Sequence, residues 1–231
     1  MNRYSRLAAI PSFGEDGVRR LRESSVLVIG CGALGSHCAM GLAASGIGHI
    51  CIADFDTIDI SNLQRQFFFR ESETGQPKAD ILSRRIHELN SEIEVEVVKK
   101  LVDASLAKRM FPEFDFVIDG SDNPATKYMT DEICAETGIP CCIAGVRDFQ
   151  GQVMSWQPGT TRYSDIYGPA SGDSSMLPCS AGGVAGPAAA IAASVQCAEA
   201  IKRIAGVGNP LYDKLFMFDL LIPEAKVLDV G

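Results

Sequence analysis

Apolar and polar positions alternate along the chain in two rhythms, one of period 2 or continuous and one of period near 3.6. Residues 25–30, SVLVIG, form an unbroken apolar run rich in β-branched side chains, the pattern of a strand buried on both faces. A short polar helix over residues 15–23 leads into it, and a helix of small residues follows, running to about Ser45, where Gly46 and Gly48 stop it. Residues 50–54 make a second strand. In residues 78–89, Ala79, Leu82, Ile86 and Leu89 recur on one helical face, with Pro77 suited to the first turn and Asn90 to the end. Residues 93–98, IEVEVV, alternate as a third strand, and residues 114–119, FDFVID, make a fourth. Asn123-Pro124 opens a helix that ends at Gly138, and residues 139–145 give a fifth strand.

This βαβ rhythm predicts an α/β fold, a Rossmann-like doubly wound and mostly parallel sheet. After Gly145 the rhythm changes. Residues 151–157, GQVMSWQ, predict a strand of an antiparallel C-terminal extension. Residues 160–180 are polar and rich in Gly, Pro and Ser, the composition of a mobile loop. Residues 184–204 are Ala-rich and almost wholly apolar, which predicts a buried helix. Residues 215–219 and 225–230 are expected to close the sheet as edge strands. With no internal repeat and no linker, one domain over residues 1–231 is expected.

Composition changes this picture little. The chain is 46% hydrophobic and 22% charged, ordinary for a globular protein able to bury a sizeable core. A net charge of −8 does not suit a general nucleic-acid binder, which carries a basic stripe. No apolar run approaches the roughly 18 residues of a membrane span, and the N-terminus has no signal-peptide apolar region. Eight cysteines without such a signal are expected to be reduced cytosolic thiols, which points to a cytoplasmic protein.

The candidate chemistry starts at Gly30-x-Gly32-x-x-Gly35, directly after the first strand. In such a motif the first glycine makes a tight turn, the second lets a phosphate approach the backbone, and the third lets helix and strand pack closely. Asp54, at the end of the second strand, is placed to accept ribose hydroxyls. The block that follows, DFDTIDISNLQRQ, brings Asn62, Arg65 and Gln66 together in a loop or one helical turn. Taken alone it could be a solvated polar turn. Lys78 could likewise be a plain exposed helix residue. Beside a phosphate site, Arg supplies a fork and Lys a point charge. Asp122 has two readings that the sequence leaves level, a helix cap ahead of Pro124 or a magnesium ligand.

These blocks resemble the ThiF/MoeB/HesA family, the bacterial branch of the ubiquitin-activating-enzyme superfamily. The resemblance runs through RYSR at 3–6, GCGALGS at 30–36, DFDTIDISNLQRQ at 54–66, TGQPKAD at 74–80 and GSDN at 120–123. It continues in CSAGGVAGP at 179–187 and QCAEAIK at 196–202. It implies an ATP- and Mg-dependent adenylyltransferase that activates the C-terminal Gly-Gly carboxylate of a small ubiquitin-like sulfur-carrier protein and releases pyrophosphate. A ThiS-like carrier of thiamine synthesis is the first choice and a MoaD-like molybdopterin carrier the second. The resemblance implies that Gly32 and Gly35 line the nucleotide, that Asp54 holds the ribose, and that Asn62, Arg65 and Lys78 contact the phosphates. It implies that Asp122 binds Mg and that Arg6 reaches across a homodimer into the partner's active site. Cys179, before GGVAGP, matches a cysteine that some members use in a covalent link to the carrier; otherwise it is an unreactive loop thiol. The other seven cysteines are expected to be small core residues, and His37, His49 and His87 surface or packing residues.

One departure stands out. The family usually carries two Cys-x-x-Cys pairs, the first of which would fall near residues 162–168, RYSDIYG, and no two cysteines here are spaced i, i+3. No structural zinc is therefore expected. No rhodanese-like domain is present in the sequence, so the sulfur donor is expected to be a separate protein. Two rivals remain. A nicotinamide-dependent oxidoreductase would share the glycines and Asp54 but would have no use for Arg65, Lys78 and Asp122. A non-catalytic carrier-binding protein of the same fold would not need the phosphate-contacting positions to be kept together.

Overall fold

The computed structural model describes residues 3–169 and 182–231. β1 (Ser25–Ile29) pairs in parallel with β2 (His49–Ala53) on one side and β4 (Phe116–Asp119) on the other. β3 (Glu94–Val98) extends one flank and β5 (Cys141–Arg147) the other, both parallel. β6 (Gln150–Trp156), β7 (Lys214–Asp219) and β8 (Glu224–Asp229) then add antiparallel, giving the order β3-β2-β1-β4-β5-β6-β7-β8. The Rossmann-like, mostly parallel sheet with an antiparallel C-terminal extension is as the sequence predicts.

The alternation of a strand decides which side of the sheet each residue serves. In β1, Val26 and Val28 face one core and Leu27 and Ile29 the other. The first core is covered by α2 (Gly14–Arg22), α3 (Ala33–Ser45), α4 (Lys78–Leu89) and α8 (Gly186–Ala205). The second is covered by α5 (Ala104–Met110), α6 (Pro124–Thr137) and α7 (Tyr163–Tyr167). With both faces covered, the central strands are apolar throughout rather than alternating. α3 and α8 approach closely because Gly41 has no side chain: a Cβ there would lie 2.9 Å from Cys197 Sγ.

Several expectations need correction. α1 (Ser5–Ala8) and α5 had no counterpart in the sequence pattern. The loop expected over residues 160–180 contains α7, and residues 170–181 lie outside the described residues. β7 is an inner strand, paired on both sides, and of these two strands β8 alone is an edge. Among the described residues no helix is long and apolar enough to cross a membrane.

Candidate active site

A cleft of about 450 Å³ opens at the carboxyl ends of β1, β2 and β4, where the chain leaves β1 for either flank of the sheet. Open α/β sheets bind ligands at this kind of place. Gly30 turns the chain off β1 with φ +88°, a left-handed conformation that favours glycine, and its N–H donates to Ala53 O at 2.8 Å. Gly32 is the N-cap residue of α3 and lines the cleft, and a Cβ there would meet nothing closer than Gln66 Nε2 at 3.7 Å. No side chain caps α3, and Ala33 and Leu34 also line the cleft. The helix therefore offers unfilled N–H donors and its positive dipole end to whatever sits there.

Gly35 does something else. A Cβ on Gly35 would lie 1.7 Å from Gly30 O, so this glycine is the packing contact between α3 and the turn. It is buried and does not line the cleft, which corrects the expectation that it touches a nucleotide.

Asp54 fastens the glycine turn. Its Oδ2 accepts the Cys31 N–H at 2.5 Å and its Oδ1 accepts the Asp56 N–H at 2.6 Å. Burial lifts the Asp54 carboxyl above its ordinary range, and those two N–H bonds and Lys78 oppose the shift. Each carboxylate oxygen keeps a lone pair for a further donor.

The polar block folds as a single 3-10 turn, Ile60–Asn62, closed by reciprocal caps. Asp59 Oδ1 accepts the Ser61 N–H at 2.8 Å, and Asn62 Oδ1 accepts the Asp59 N–H at 3.1 Å. The turn points Asn62 and Arg65 into the cleft. Arg65 is half-buried and donates from Nη1 to Ser61 O at 3.2 Å. Lys78, the first residue of α4, is only 6% exposed, so it is not the plain surface lysine that the sequence allowed. Its Nζ lies 3.2 Å from Asp56 Oδ2, a carboxylate at the cleft wall.

Across the cleft, the loop after β4 carries Asp122. Asn123 is the N-cap of α6, its Oδ1 accepting the Ala125 N–H at 2.9 Å. Asp122 is therefore not the cap, and one of its two readings falls. It is exposed, lines the cleft, and makes no hydrogen bond among the described residues.

Eight of the singled-out residues thus share one cleft: Gly30, Gly32, Asp54, Asn62, Arg65, Gln66, Lys78 and Asp122. Arg6 does not join them. It is exposed on α1, which is tied to the far end of α3: Tyr4 packs on the C-cap Gly46, and Asn90 Nδ2 donates to the Tyr4 hydroxyl at 2.8 Å. α3 has 13 residues and is about 20 Å long, so α1 sits at the end of α3 away from the cleft, and Arg6 does not line it. Cys179 lies outside the described residues. The other seven cysteines are all buried, as expected for core thiols.

Gln66, already singled out with Asn62 and Arg65, is 4% exposed and lines the cleft, and its Oε1 has no hydrogen-bond partner among the described residues. Two residues escaped the sequence reading of the site, Lys127 and Asp119. Lys127, on the first turn of α6, is 3% exposed and also lines the cleft. Its Nζ lies 3.5 Å from Oδ1 of Asp119, which is fully buried at the end of β4. A carboxylate closing an otherwise apolar strand was the available signal, because a buried charge needs a partner.

The family model described as "ThiF family" matches residues 4–230. The chain is 38% identical over 234 residues to "Probable adenylyltransferase/sulfurtransferase MoeZ" of Mycobacterium tuberculosis, covering 99% of this chain and 59% of that protein. It is 30% identical over 236 residues to "Sulfur carrier protein adenylyltransferase" of Thermus thermophilus, covering 100% of this chain and 87% of that protein. It also spans about half the length of the plant MOCS3 relatives it matches, 48% in Zea mays and 49% in Arabidopsis thaliana. Among solved structures, the crystal structure of E. coli MccB with ATP superposes with a TM-score of 0.87 at 27% identity, covering 100% of this chain and 72% of that one. The chain belongs to the ThiF family.

Proposed function

We propose that this ThiF-family chain is an ATP-dependent adenylyltransferase that activates the C-terminal Gly-Gly carboxylate of a small ubiquitin-like sulfur-carrier protein. The observation that carries the reading is the convergence of Arg65, Lys78 and Asp122 around the uncapped N-terminus of α3. Relatives named as adenylyltransferases of sulfur carriers support it, as does the likeness to MccB, which has been crystallised with ATP. A nicotinamide site would share the glycine turn and Asp54, but it has no task for two cations and an unpaired carboxylate.

In this reading residues 1–231 act as one adenylation domain. The open face of Gly32 and the α3 donors receive the phosphates, and the spare lone pairs of Asp54 accept the ribose hydroxyls. The carrier's carboxylate is ionised near pH 7 and is already a nucleophile. It attacks the α-phosphorus, a new acyl C–O–P link forms, and the bond from that phosphorus to the bridging oxygen breaks. The electron pair leaves on pyrophosphate, and no proton has to move. Negative charge grows on the departing oxygens, where Arg65, Lys78 and Asn62 hold it. Lys78 would exchange its contact with Asp56 for the phosphates. The residues fit a magnesium ion: Asp122 is one unpaired carboxylate, and no cluster of three His, Cys, Asp or Glu occurs among the described residues. Magnesium asks for little more from a protein when phosphates supply the other oxygens. When bound, it would neutralise phosphate charge and steady the leaving group.

A homodimer is part of the proposal, with Arg6 of each chain serving the cleft of its partner. The tether of α1 to the far end of α3 supports this, because it holds Arg6 away from its own cleft. We further propose a cytoplasmic protein without structural zinc that takes sulfur from a separate donor. A ThiS-like carrier is preferred to a MoaD-like one, and Cys179 is the residue that would link to it. The test is carrier-dependent exchange of labelled pyrophosphate into ATP, run with several Gly-Gly carriers. Exchange with one of them is expected. No exchange with any, together with tight NAD binding, would favour the oxidoreductase; no exchange with carrier binding retained would favour a non-catalytic binder.

A further inference from the structure

Beneath the loop that carries Asp122 lies a pair of buried charges with no place in the chemistry above. Asp119 is fully buried and Lys127 is 3% exposed. Burying two charges rarely adds net stability, since desolvation cancels most of their attraction. The geometry of the pair has a different product. Asp119 Oδ1 accepts both the Ser121 N–H, at 2.8 Å, and the Ser121 hydroxyl, at 2.6 Å. Lys127 Nζ donates to Ser121 O at 2.7 Å while lying 3.5 Å from the same Asp119 oxygen. Asp119 is itself anchored from behind, because Gln196 Nε2 donates to its carbonyl at 2.8 Å. Both peptide groups of Ser121 and its side chain are therefore fixed. On the other side of the loop, Asn123 is fixed by capping α6. Between two immobilised residues, Asp122 alone presents a carboxylate with no partner among the described residues.

We infer that Lys127 is a positioning residue for Asp122: paired with Asp119, it fixes the Ser121 carbonyl and so aims the next carboxylate into the cleft. The inference rests on the proposed metal role of Asp122. The carbonyl it holds belongs to the peptide bond that leads directly into Asp122. Loss of the ammonium would free that peptide to rotate and would leave Asp119 as an unpaired buried charge. An uncharged residue of similar length could fill the volume but could not hold the carbonyl. Arginine at the same place could.

The test reads metal binding rather than turnover. Manganese(II) is titrated against the protein with a non-hydrolysable ATP analogue, free metal being followed by its paramagnetic resonance signal. Wild type, Asp122→Ala, Lys127→Met, Lys127→Arg and the double variant Asp119→Asn with Lys127→Met are compared, each with a melting curve. Lys127→Met is expected to weaken metal binding in the ternary complex roughly tenfold or more, and by more than it weakens binding of the metal-free analogue. Lys127→Arg should restore most of it. If the single Met variant does not fold, the double variant carries the test, since it removes both buried charges together, and it too should bind the metal weakly. Wild-type metal affinity in either folded variant, beside a weakened Asp122→Ala, overturns the inference while leaving Asp122 as the ligand. Wild-type affinity in Asp122→Ala instead removes the metal role of Asp122, and the inference falls with it.

Discussion

Two glycines of one motif, three residues apart, should respond to alanine in opposite ways. At Gly35 a Cβ would lie 1.7 Å from Gly30 O and 2.8 Å from Gly30 C, both backbone atoms that cannot turn aside. Gly120 presses from the other strand: its own Cβ would meet Gly35 Cα at 2.6 Å. Gly35→Ala must therefore push α3 off the β1 turn, at or above the top of the roughly 1–3 kcal/mol typical of overpacking. For a chain of this size that loss lowers Tm by about 6–12 °C. At Gly32 the nearest atom to a Cβ is 3.7 Å away, an ordinary contact, and φ is −72°. There alanine is a poorer cap than glycine but lowers the entropy of the unfolded chain, and these effects nearly cancel to within about 1 kcal/mol. Gly32→Ala should fold normally. Its methyl would stand where a phosphate must approach the α3 donors. Displacing one such charge-assisted bond costs about 1.5–3 kcal/mol, or roughly ten- to a hundredfold in ATP affinity. Calorimetric melts and ATP titrations of the three proteins check both halves. A Gly32→Ala protein that binds ATP like wild type would refute the phosphate site; a Gly35→Ala protein that melts like wild type would refute the packing account.

Asp122→Ala should abolish pyrophosphate exchange and leave Tm unchanged, whereas Asn123→Ala, which loses the α6 cap, should lower stability by about 1 kcal/mol and retain measurable exchange; one melt and one exchange assay on each separate the roles. Arg6→Ala and Lys78→Ala proteins, each inactive alone, should regain part of wild-type exchange after subunit mixing, because a mixed dimer holds one cleft with both lesions and one with neither. No recovery with mixed dimers confirmed by mass would show that Arg6 does not act across a dimer. Native protein treated with iodoacetamide at neutral pH should take up at most one equivalent, at Cys179, as read by peptide mass mapping. The other seven thiols are buried, and burial pushes Cys51 and Cys197 up to about 12 and Cys31, Cys38 and Cys142 well above the ordinary thiol value.

Elements whose ends carry their own chemistry are legible in the sequence. α4 starts at Lys78 after Pro77 and ends before Asn90, and α6 runs from Asn123-Pro124 to a left-handed Gly138, both where the residues say. α5 is not legible from its apolar spacing, since ASLAKRM buries only Ala107 fully. Its one local sign is Asp103, whose Oδ1 accepts the Leu106 N–H at 2.8 Å. A cap without a clear apolar stripe is weak evidence for a helix, because Asp serves turns equally well. The position of β7 was hidden for another reason. Strand pairing is a long-range choice, and nothing local to residues 214–219 tells that β6 lies on one side and β8 on the other.

In the cleft, the residues legible from sequence are those proposed to meet a ligand, and the ones that escaped are those that hold them. Arg65, Lys78 and Asp122 are legible through the blocks that resemble the family, although each taken alone also allows a structural reading as a solvated turn, an exposed helix lysine or a helix cap. Lys127 is not, since a lysine four residues after a helix cap reads as a solvated side chain, and only its 3% exposure reveals otherwise. For Asp122 the sequence leaves cap and ligand level, because Asp and Asn are nearly equal N-caps and Asp122-Asn123 offers the helix both. The structure assigns the cap to Asn123, and the assignment has a chemical consequence. A capping carboxylate would have committed an oxygen to the helix N–H groups. With an amide in that place, the neighbouring carboxylate has no hydrogen-bond partner among the described residues and lines the cleft, free for the proposed cation and beside the Asp119–Lys127 pair proposed to fix its direction.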